Sequence, residues 1–200
     1  MLEWLDWFVD VISGSPWTYG VLFAVAALDA IFPIVPSETA VITGGVVAAS
    51  GDLQIAFVVL AAAGGAFFGD NVTYAIGKLL GRSWAEKLVR GERGKRSLDW
   101  ARRTLDQHGA LLIVVARFIP GGRIATMLTA GLVDYPWKQR FVPADSAAAL
   151  LWALYSGLVG YIGGRTFEEE PWKALLLAFG IAFGIALAVE GARRLRHARR

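Results

Sequence analysis

The sequence predicts an all-α polytopic membrane protein that forms a single membrane domain over residues 1–200. The predicted architecture is an inverted repeat of two re-entrant helical hairpins, each followed by a transmembrane helix, with a C-terminal transmembrane helix after the second unit. Three observations predict this fold. The chain is 56% hydrophobic, two long apolar stretches are interrupted at their centres by proline or glycine, and most basic residues fall in a few short segments.

The first predicted elements are an interfacial helix and a hairpin. Residues 1–16 place apolar side chains at helical spacing among three acidic residues, which predicts an amphipathic helix at the membrane surface. Residues 17–51 form re-entrant hairpin 1, because Pro33 and Pro36 break the apolar stretch. Its exit arm of about 12 residues would be roughly 18 Å long. A bilayer core is about 30 Å thick, so the arm is too short to span.

The middle of the chain predicts a full span and a second hairpin. Residues 53–80 are long and apolar enough to cross a membrane, and residues 81–108 form a basic cytoplasmic segment. Residues 109–135 form re-entrant hairpin 2, whose centre reads Arg117-Phe118-Ile119-Pro120-Gly121-Gly122-Arg123. An arginine at the bilayer centre costs about 2.5–3.5 kcal/mol, and proline followed by two glycines interrupts a helix. We therefore expect this segment to turn where protein covers its free backbone groups.

Two further spans and a basic tail complete the chain. The predicted spans are 141–164 and 172–190, and the predicted cytoplasmic tail, 191–200, holds five arginines. If residues 78–108, 134–140 and 191–200 are cytoplasmic, sixteen of the 20 basic residues lie inside, as the positive-inside rule requires. The same assignment places the N-terminus outside and the C-terminus in the cytoplasm, and it makes both hairpins re-entrant.

A weak internal repeat relates the two units. Residues 43–47, Thr-Gly-Gly-Val-Val, resemble residues 129–133, Thr-Ala-Gly-Leu-Val. Residues 76–82 resemble residues 159–165 in the same way, with glycines in matching places. The offsets are roughly 83–86 residues, and the two copies have opposite predicted topology. Inverted repeats of broken helices, with a binding site between them near the midplane, are typical of transporters.

The candidate substrate site lies at the tip of hairpin 2. Arg117 and Arg123 can hold a phosphate group through charge-assisted, often bidentate hydrogen bonds. We expect free N–H groups beside Gly121 and Gly122, at the start of the returning half-helix, to add a positive end. An anionic lipid is the substrate that this arrangement predicts, because its apolar tails can stay in the bilayer while its headgroup crosses a polar cleft.

Acidic residues on hairpin 1 are the candidate coupling groups. Asp29 and Glu38 can face the arginines when the site is empty, and they can carry a proton because burial raises the pKa of a carboxyl group. Asp70, the only charged residue from Leu53 to Gly77, is a third candidate. The competing interpretation is structural, with Arg117 and Arg123 paired to these acids to hold the fold together.

Two further acids have ordinary structural explanations. Asp70 can form a helix–helix hydrogen bond with Tyr74 or another neighbour. Asp145 lies four residues into its predicted span, so we expect its side chain to snorkel towards the inner membrane surface.

Motifs in a specific order connect the chain to a known family. They are Asp29 with Pro33-x-x-Pro36-Ser37-Glu38, then Gly69-Asp70-x-x-x-Tyr74-x-x-Gly77, then Arg117-Phe118-x-Pro120-Gly121-x-Arg123 with Ala130-Gly131, and a late Trp152 with Gly157, Gly160 and Gly163. From about residue 17 to 165 the chain resembles the DedA family, which is related to the wider group of VTT-domain lipid transport proteins. The chain departs from that pattern at Ala144-Asp145-Ser146, where relatives often carry Asn and Gly-Ala. There we expect a difference in local packing or coupling.

The resemblance implies an integral protein of the bacterial inner membrane that moves lipids between leaflets. Undecaprenyl phosphate and phospholipids are the implied substrates, and transport is expected to depend on the proton or sodium gradient. An ion- or small-solute-coupled secondary transporter is the alternative function, and a membrane lipid enzyme is the third.

Composition narrows the remaining classes of function. The chain has no cysteine and two histidines, both beside charged stretches, so we expect no metal, no cofactor and no enzyme activity. The basic cytoplasmic segment is short and lies next to the membrane, so the expected partners are membrane lipids and not nucleic acid. The sequence leaves open a homo-oligomer, the identity of the lipid, the coupling ion and any functional role of Asp145.

Overall fold

The computed structural model describes residues 17–32, 36–88, 92–119 and 121–166, and every element assigned in these ranges is helical. The predicted all-α class is therefore confirmed for these ranges. The elements are α1 (Trp17–Ile31), α2 (Ser37–Ala49), α3 (Ile55–Leu88), α4 (Glu92–Ala116), α5 (Gly122–Leu132), a π-helical turn (Trp137–Phe141) and α6 (Val142–Thr166). The predicted elements at 1–16, 172–190 and 191–200 lie outside the described residues.

Two helices have the length and apolarity needed to cross a membrane, namely Ile55–Gly81 and Trp137–Thr166. They coincide with the predicted spans 53–80 and 141–164. The second begins earlier than predicted because the π-helical turn continues directly into α6. Helix α3 also continues beyond its apolar part to Leu88, so its end belongs to the basic segment.

Short helices meet at two breaks in the chain. Helix α1 ends and α2 begins on either side of residues 32–36, and α4 and α5 are separated by residues 117–121. Helices α1, α2 and α5 have 15, 13 and 11 residues, which corresponds to roughly 16–22 Å. Each is shorter than a bilayer core of about 30 Å. Gly121 has φ +70°, a left-handed conformation that glycine adopts without strain and that directs the chain into α5.

A kink divides α4 into a basic part and an apolar part. His108 has φ −135° and ψ 17°, which is not helical, and residues 109–116 after it are almost entirely apolar. The apolar part is therefore another short arm, which leads into the second break.

The second arm of each broken pair packs on the long helix of the other unit. Helix α2 packs on α6, and α5 packs on α3. A Cβ atom on Gly45 would overlap the carbonyl oxygen of Gly157 and lie 3.0 Å from the Tyr161 nitrogen. A Cβ atom on Gly131 would overlap the Tyr74 carbonyl oxygen and lie 2.7 Å from the nitrogen of the residue four positions later, Lys78. Both contacts require glycine because backbone meets backbone.

A second pair of contacts repeats this relationship with the glycines on the long helices. A Cβ atom on Gly77 would overlap the Leu128 carbonyl oxygen, and one on Gly160 would overlap the Ile42 carbonyl oxygen. The glycines are 83 positions apart and the residues that they contact are 86 apart. These are the same offsets that the sequence similarity shows.

The buried apolar residues form two clusters. One joins α1 and α2 to the first half of α3 and the later part of α6, and the other joins α4 and α5 to the rest of α3 and the start of α6. Along α3, Ala66 belongs to the first cluster and Tyr74 to the second. Asp70 lies between them, so the boundary of the two clusters is where charged groups enter the interior.

Candidate ligand-binding site at the helix breaks

Arg117 is the centre of a buried ion-pair network. It follows the last residue of α4, and its side chain is 0% exposed. Its Nη2 atom donates hydrogen bonds to Asp70 Oδ2 and to Asp145 Oδ1, the latter at 3.1 Å. The guanidinium carbon lies 5.9 Å from the ring centroid of Trp152, a distance that permits a cation–π contact. Residues of α3 and α6 thus hold Arg117, which lies in the second helix break.

Arg123 extends the network to the first helix break. It lies in the first turn of α5, with its Nε atom 3.1 Å from Asp70 Oδ1 and its Nη1 atom 3.5 Å from Asp29 Oδ2. Asp29 also accepts a hydrogen bond of 2.6 Å from the Ser37 hydroxyl, across the break between α1 and α2. One continuous set of charged side chains therefore joins both helix breaks to both long helices.

Close helix packing places Asp29 beside Asp70. A Cβ atom on Gly69 would overlap the Ala27 carbonyl oxygen, so glycine at this position lets α1 approach α3. The Thr73 hydroxyl lies 3.0 Å from the Ala30 carbonyl oxygen and ties the end of α1 to the same face of α3. The motif that begins with Gly69 and Asp70 thus supplies both the close approach and the buried charge.

The network leaves several hydrogen-bond donors unused. Among the described residues, Arg117 Nε, Arg117 Nη1 and Arg123 Nη2 are buried without a hydrogen-bond partner. A guanidinium group has five N–H donors and no acceptor, and buried polar groups normally have partners. The unused donors of Arg117 and Arg123 are therefore available to a further acceptor.

Asn71 and Trp137 connect the network to the π-helical turn that precedes α6. The Trp137 indole nitrogen donates to Asn71 Oδ1 at 2.7 Å, and Asn71 Nδ2 lies 3.4 Å from Asp145 Oδ2. Trp137 is partly exposed, whereas Asp145 is fully buried. The sequence signal for this connection was weak, because a single Asn and a single Trp have no distinctive spacing.

The structure corrects the expectation about Asp145. We expected this side chain to snorkel to the membrane surface, but it is 0% exposed and pairs with Arg117. The span begins at Trp137 and not at 141, so Asp145 lies more than two helical turns from the start of the helix. The sequence signal for this burial was that Asp145 is the only acidic residue in an apolar segment.

The expected pairing of the arginines is correct for one acid of hairpin 1 and wrong for the other. Asp29 pairs with Arg123, as expected. Glu38 forms no ion pair within the ranges that the structure describes, and its side chain is exposed. It is the second residue of α2 and follows Ser37, whose hydroxyl donates to Asp29.

Two finer expectations need correction. The expected hydrogen bond of Asp70 is formed with a neighbour, Arg117, and not with Tyr74, whose hydroxyl donates to the Tyr135 carbonyl oxygen at 2.6 Å. The N–H group of Gly122 is not free, because it donates to the Ile119 carbonyl oxygen at 2.8 Å. Gly121 caps α5 without a side-chain hydrogen bond, so the unsatisfied N–H groups of a helix start belong to the residues after Gly122.

A separate cavity of about 530 Å³ lies at the kink of α4. It is lined by residues 106–111 and by Tyr135, Gln139, Arg140, Pro143 and Ala144. The ion pair between Asp106 and Arg140, at 3.2 Å, is half exposed there. Neither Arg117 nor Arg123 lines this cavity. We place the candidate site at the ion-pair network, because its arginines have the unused donors. In the described part of the chain, no three His, Cys, Asp or Glu side chains are arranged to hold a metal ion.

Two membrane-length helices and a bundle of short broken helices are consistent with a helical membrane protein. Residues 35–162 match the family model of the VTT domain. The chain is 33% identical over 136 residues to the inner membrane protein YohD of Escherichia coli (strain K12), covering 68% of this chain and 67% of that protein. It is 28% identical over 194 residues to protein DedA of the same organism, covering 92% and 86% of the two chains.

A membrane protein of Synechocystis is 33% identical over 172 residues, covering 82% of this chain and 77% of that protein. No solved structure gives a significant match to the chain. These similarities show that the chain belongs to the DedA family of VTT-domain membrane proteins.

Proposed function

We propose that this protein is a lipid flippase that moves a phosphate-bearing lipid across the bacterial inner membrane. The lipid is a polyprenyl phosphate, such as undecaprenyl phosphate, or a phospholipid. The observation that carries the proposal is the buried guanidinium group of Arg117, which uses one nitrogen for two carboxylates and leaves two nitrogens without a partner among the described residues.

Phosphate fits the unused donors in charge and in hydrogen-bonding capacity. The free Nε–H and Nη1–H groups of Arg117 can donate charge-assisted hydrogen bonds to phosphate oxygens. The start of α5, with Gly121 as its cap, adds N–H groups and the positive end of a helix close to Arg123. A lipid supplies this anion with apolar chains that remain in the bilayer.

The proposal includes a membrane arrangement. We infer that 17–51 and 109–135 are re-entrant hairpins in an inverted repeat, with the N-terminus outside and the C-terminus in the cytoplasm of a multi-pass protein. The short arms, the distribution of basic residues and the matched glycine contacts between α2–α6 and α5–α3 support it. Impermeant reagents should label single cysteines at Asp52 and Asp134 from opposite sides of the membrane. Labelling from one side would contradict the arrangement.

Coupling to the proton or sodium gradient follows from competition for the arginines. Asp29 and Asp70 contact the guanidinium groups that an incoming phosphate needs. Neutralising a carboxylate weakens its hold on the arginine and favours phosphate binding. Glu38 makes no such contact in the described ranges, so its proposed part in coupling now has less support than that of Asp29 and Asp70.

Native mass spectrometry with a matched pair of variants tests the proposal. A lysine at position 117 keeps a positive charge near Asp70 and Asp145 but lacks the Nε–H and Nη1–H donors. We expect the parent protein to retain added polyprenyl phosphate more strongly than the alcohol without phosphate, and Arg117→Lys to lose roughly tenfold in affinity. Hydrogen bonds to charged groups contribute about 1.5–3 kcal/mol each, so the net loss of a single one accounts for that factor.

The control is Arg140→Lys, which alters a half-exposed ion pair outside the network. Equal retention of lipid phosphate by the parent and Arg117→Lys would contradict the clamp. The alternative functions give other results in the same preparation. An ion- or solute-coupled transporter would bind no lipid selectively by its phosphate, and a lipid enzyme would change the mass of the added lipid.

A further inference from the structure

The buried network contains more acids than bases. Asp29, Asp70 and Asp145 supply three carboxyl groups, and the only guanidinium groups that they contact in the described ranges are those of Arg117 and Arg123. If every group were ionised, the network would carry one uncompensated negative charge. Charged groups in a protein interior are normally paired, and an unpaired acid takes up a proton instead.

Two of the carboxyl groups share a single nitrogen atom. Asp70 Oδ2 and Asp145 Oδ1 both accept from Arg117 Nη2, so these two side chains face each other across one cation. Two carboxylates in one site cannot both ionise freely, because each disfavours the charge of the other. The proton therefore belongs to this pair or to Asp29.

The surroundings distinguish the three acids. Asp70 faces both guanidinium groups. Asp29 has one guanidinium partner and a hydroxyl donor, and its side chain is 20% exposed. Asp145 contacts only Arg117, which it shares with Asp70, and the amide nitrogen of Asn71 at 3.4 Å. Its side chain is 0% exposed. Asp145 thus combines full burial, which it shares with Asp70, with the least compensation.

We propose that Asp145 carries a proton at neutral pH and is the residue through which proton binding is coupled to phosphate binding at Arg117. The first part rests on the geometry of the network alone, and the second part rests on the proposed function. With Asp145 neutral, two carboxylates balance two guanidinium groups. An incoming phosphate monoanion then adds the only uncompensated charge, and it meets an Arg117 that is held by one carboxylate and not by two.

The groups that face Asp145 from neighbouring helices come from three elements. They are Asp70 and Asn71 on α3, Arg117 after α4, and, through Asp70, Arg123 on α5. Glu38 on α2, which also packs on α6, is exposed and contacts none of them. No other charged group of the described residues forms an ion pair with Asp145.

Infrared spectroscopy tests the proton directly. A protonated carboxyl group has a C=O stretching band distinct from those of carboxylates and amides. We expect the full chain in alkyl maltoside micelles, which contain no phosphate and no ester, to show this band at neutral pH, to shift it when the aspartates carry a ¹³C label at the carboxyl carbon, and to lose it in Asp145→Asn. The surface variant Asp106→Asn should retain it.

A band that is absent at neutral pH, insensitive to labelled aspartate or still present in Asp145→Asn would overturn the assignment. The labelling arm needs no substitution, so it holds even where Asp145→Asn folds poorly. None of these measurements uses a lipid substrate. A normal band together with no selective binding of polyprenyl phosphate would therefore refute the proposed function and leave the protonated Asp145 in place.

The coupling is tested by the pH dependence of polyprenyl phosphate affinity. If polyprenyl phosphate binds together with one proton, its affinity falls by about tenfold for each pH unit above the pKa of the group that takes up the proton. We expect the parent protein to follow this dependence and Asp145→Asn, which imitates the neutral form, to lose it. An Asp145→Asn protein whose affinity still follows pH like the parent would overturn the coupling role.

Discussion

At the scale of residues, Arg117 combines a structural role and the proposed ligand-binding role in one side chain. Its Nη2 atom satisfies two carboxyl groups, and its Nε and Nη1 atoms have no partner among the described residues. The two interpretations that the sequence left open, a phosphate clamp and a structural ion pair, therefore apply to different atoms of the same group. Substitutions can separate them.

Alanine and lysine at position 117 should have different effects on stability. Arg117→Ala removes the shared partner of Asp70 and Asp145, and breaking a buried pair from one side costs about 3–5 kcal/mol. Arg117→Lys preserves the charge and should cost clearly less. Thermal unfolding in detergent micelles measures the difference. Equal unfolding temperatures for the two variants would contradict the structural role of Arg117.

The residues of the site could be predicted from the sequence only in part. Arg117, Arg123, Asp29 and Asp70 were identifiable because charge is rare inside apolar segments and therefore conspicuous. Asp145 was equally conspicuous, but its environment depended on where the helix begins and which way the π-helical turn rotates it. Periodicity does not reveal a π-helical turn, so the burial of this acid required the structure.

At the scale of elements, close contact between helices depends on glycines that the sequence distinguishes only as matching positions of an internal repeat. Gly131 allows α5 to reach the backbone of α3 at Tyr74. The helix breaks themselves were predictable, because proline and glycine act locally on the backbone. The helix on which each arm packs was not predictable, because the α2–α6 and α5–α3 contacts join residues more than 50 positions apart.

Gly131→Ala tests the packing of α5 on α3. The added Cβ atom would overlap the Tyr74 carbonyl oxygen, so the helices must separate. Overpacking of this kind costs about 1–3 kcal/mol. Gly20→Ala is the matched control, because a Cβ atom there meets nothing within 4 Å and alanine favours the helix by roughly 0.5–1 kcal/mol. A Gly131→Ala protein as stable as Gly20→Ala would contradict the close contact.

At the scale of the whole molecule, the charged network lies at the boundary of two apolar clusters. Each cluster holds one pair of short helices together with part of both long helices. Arg123 and Asp29 join the two pairs across this boundary. A relative movement of the two clusters would therefore change the partners of the arginines, which is the change that alternating exposure of a headgroup requires.

Transport in reconstituted vesicles tests most directly whether Arg117 presents a lipid phosphate for movement across the bilayer. The measured quantity is the rate at which a fluorescent polyprenyl phosphate becomes accessible to an impermeant quencher on the opposite side. We expect the parent protein and Arg140→Lys to raise this rate above that of protein-free vesicles. Arg117→Lys, folded and inserted, should remain at the protein-free rate. A parent protein that moves no lipid, or an Arg117→Lys protein as fast as the parent, would contradict the proposal.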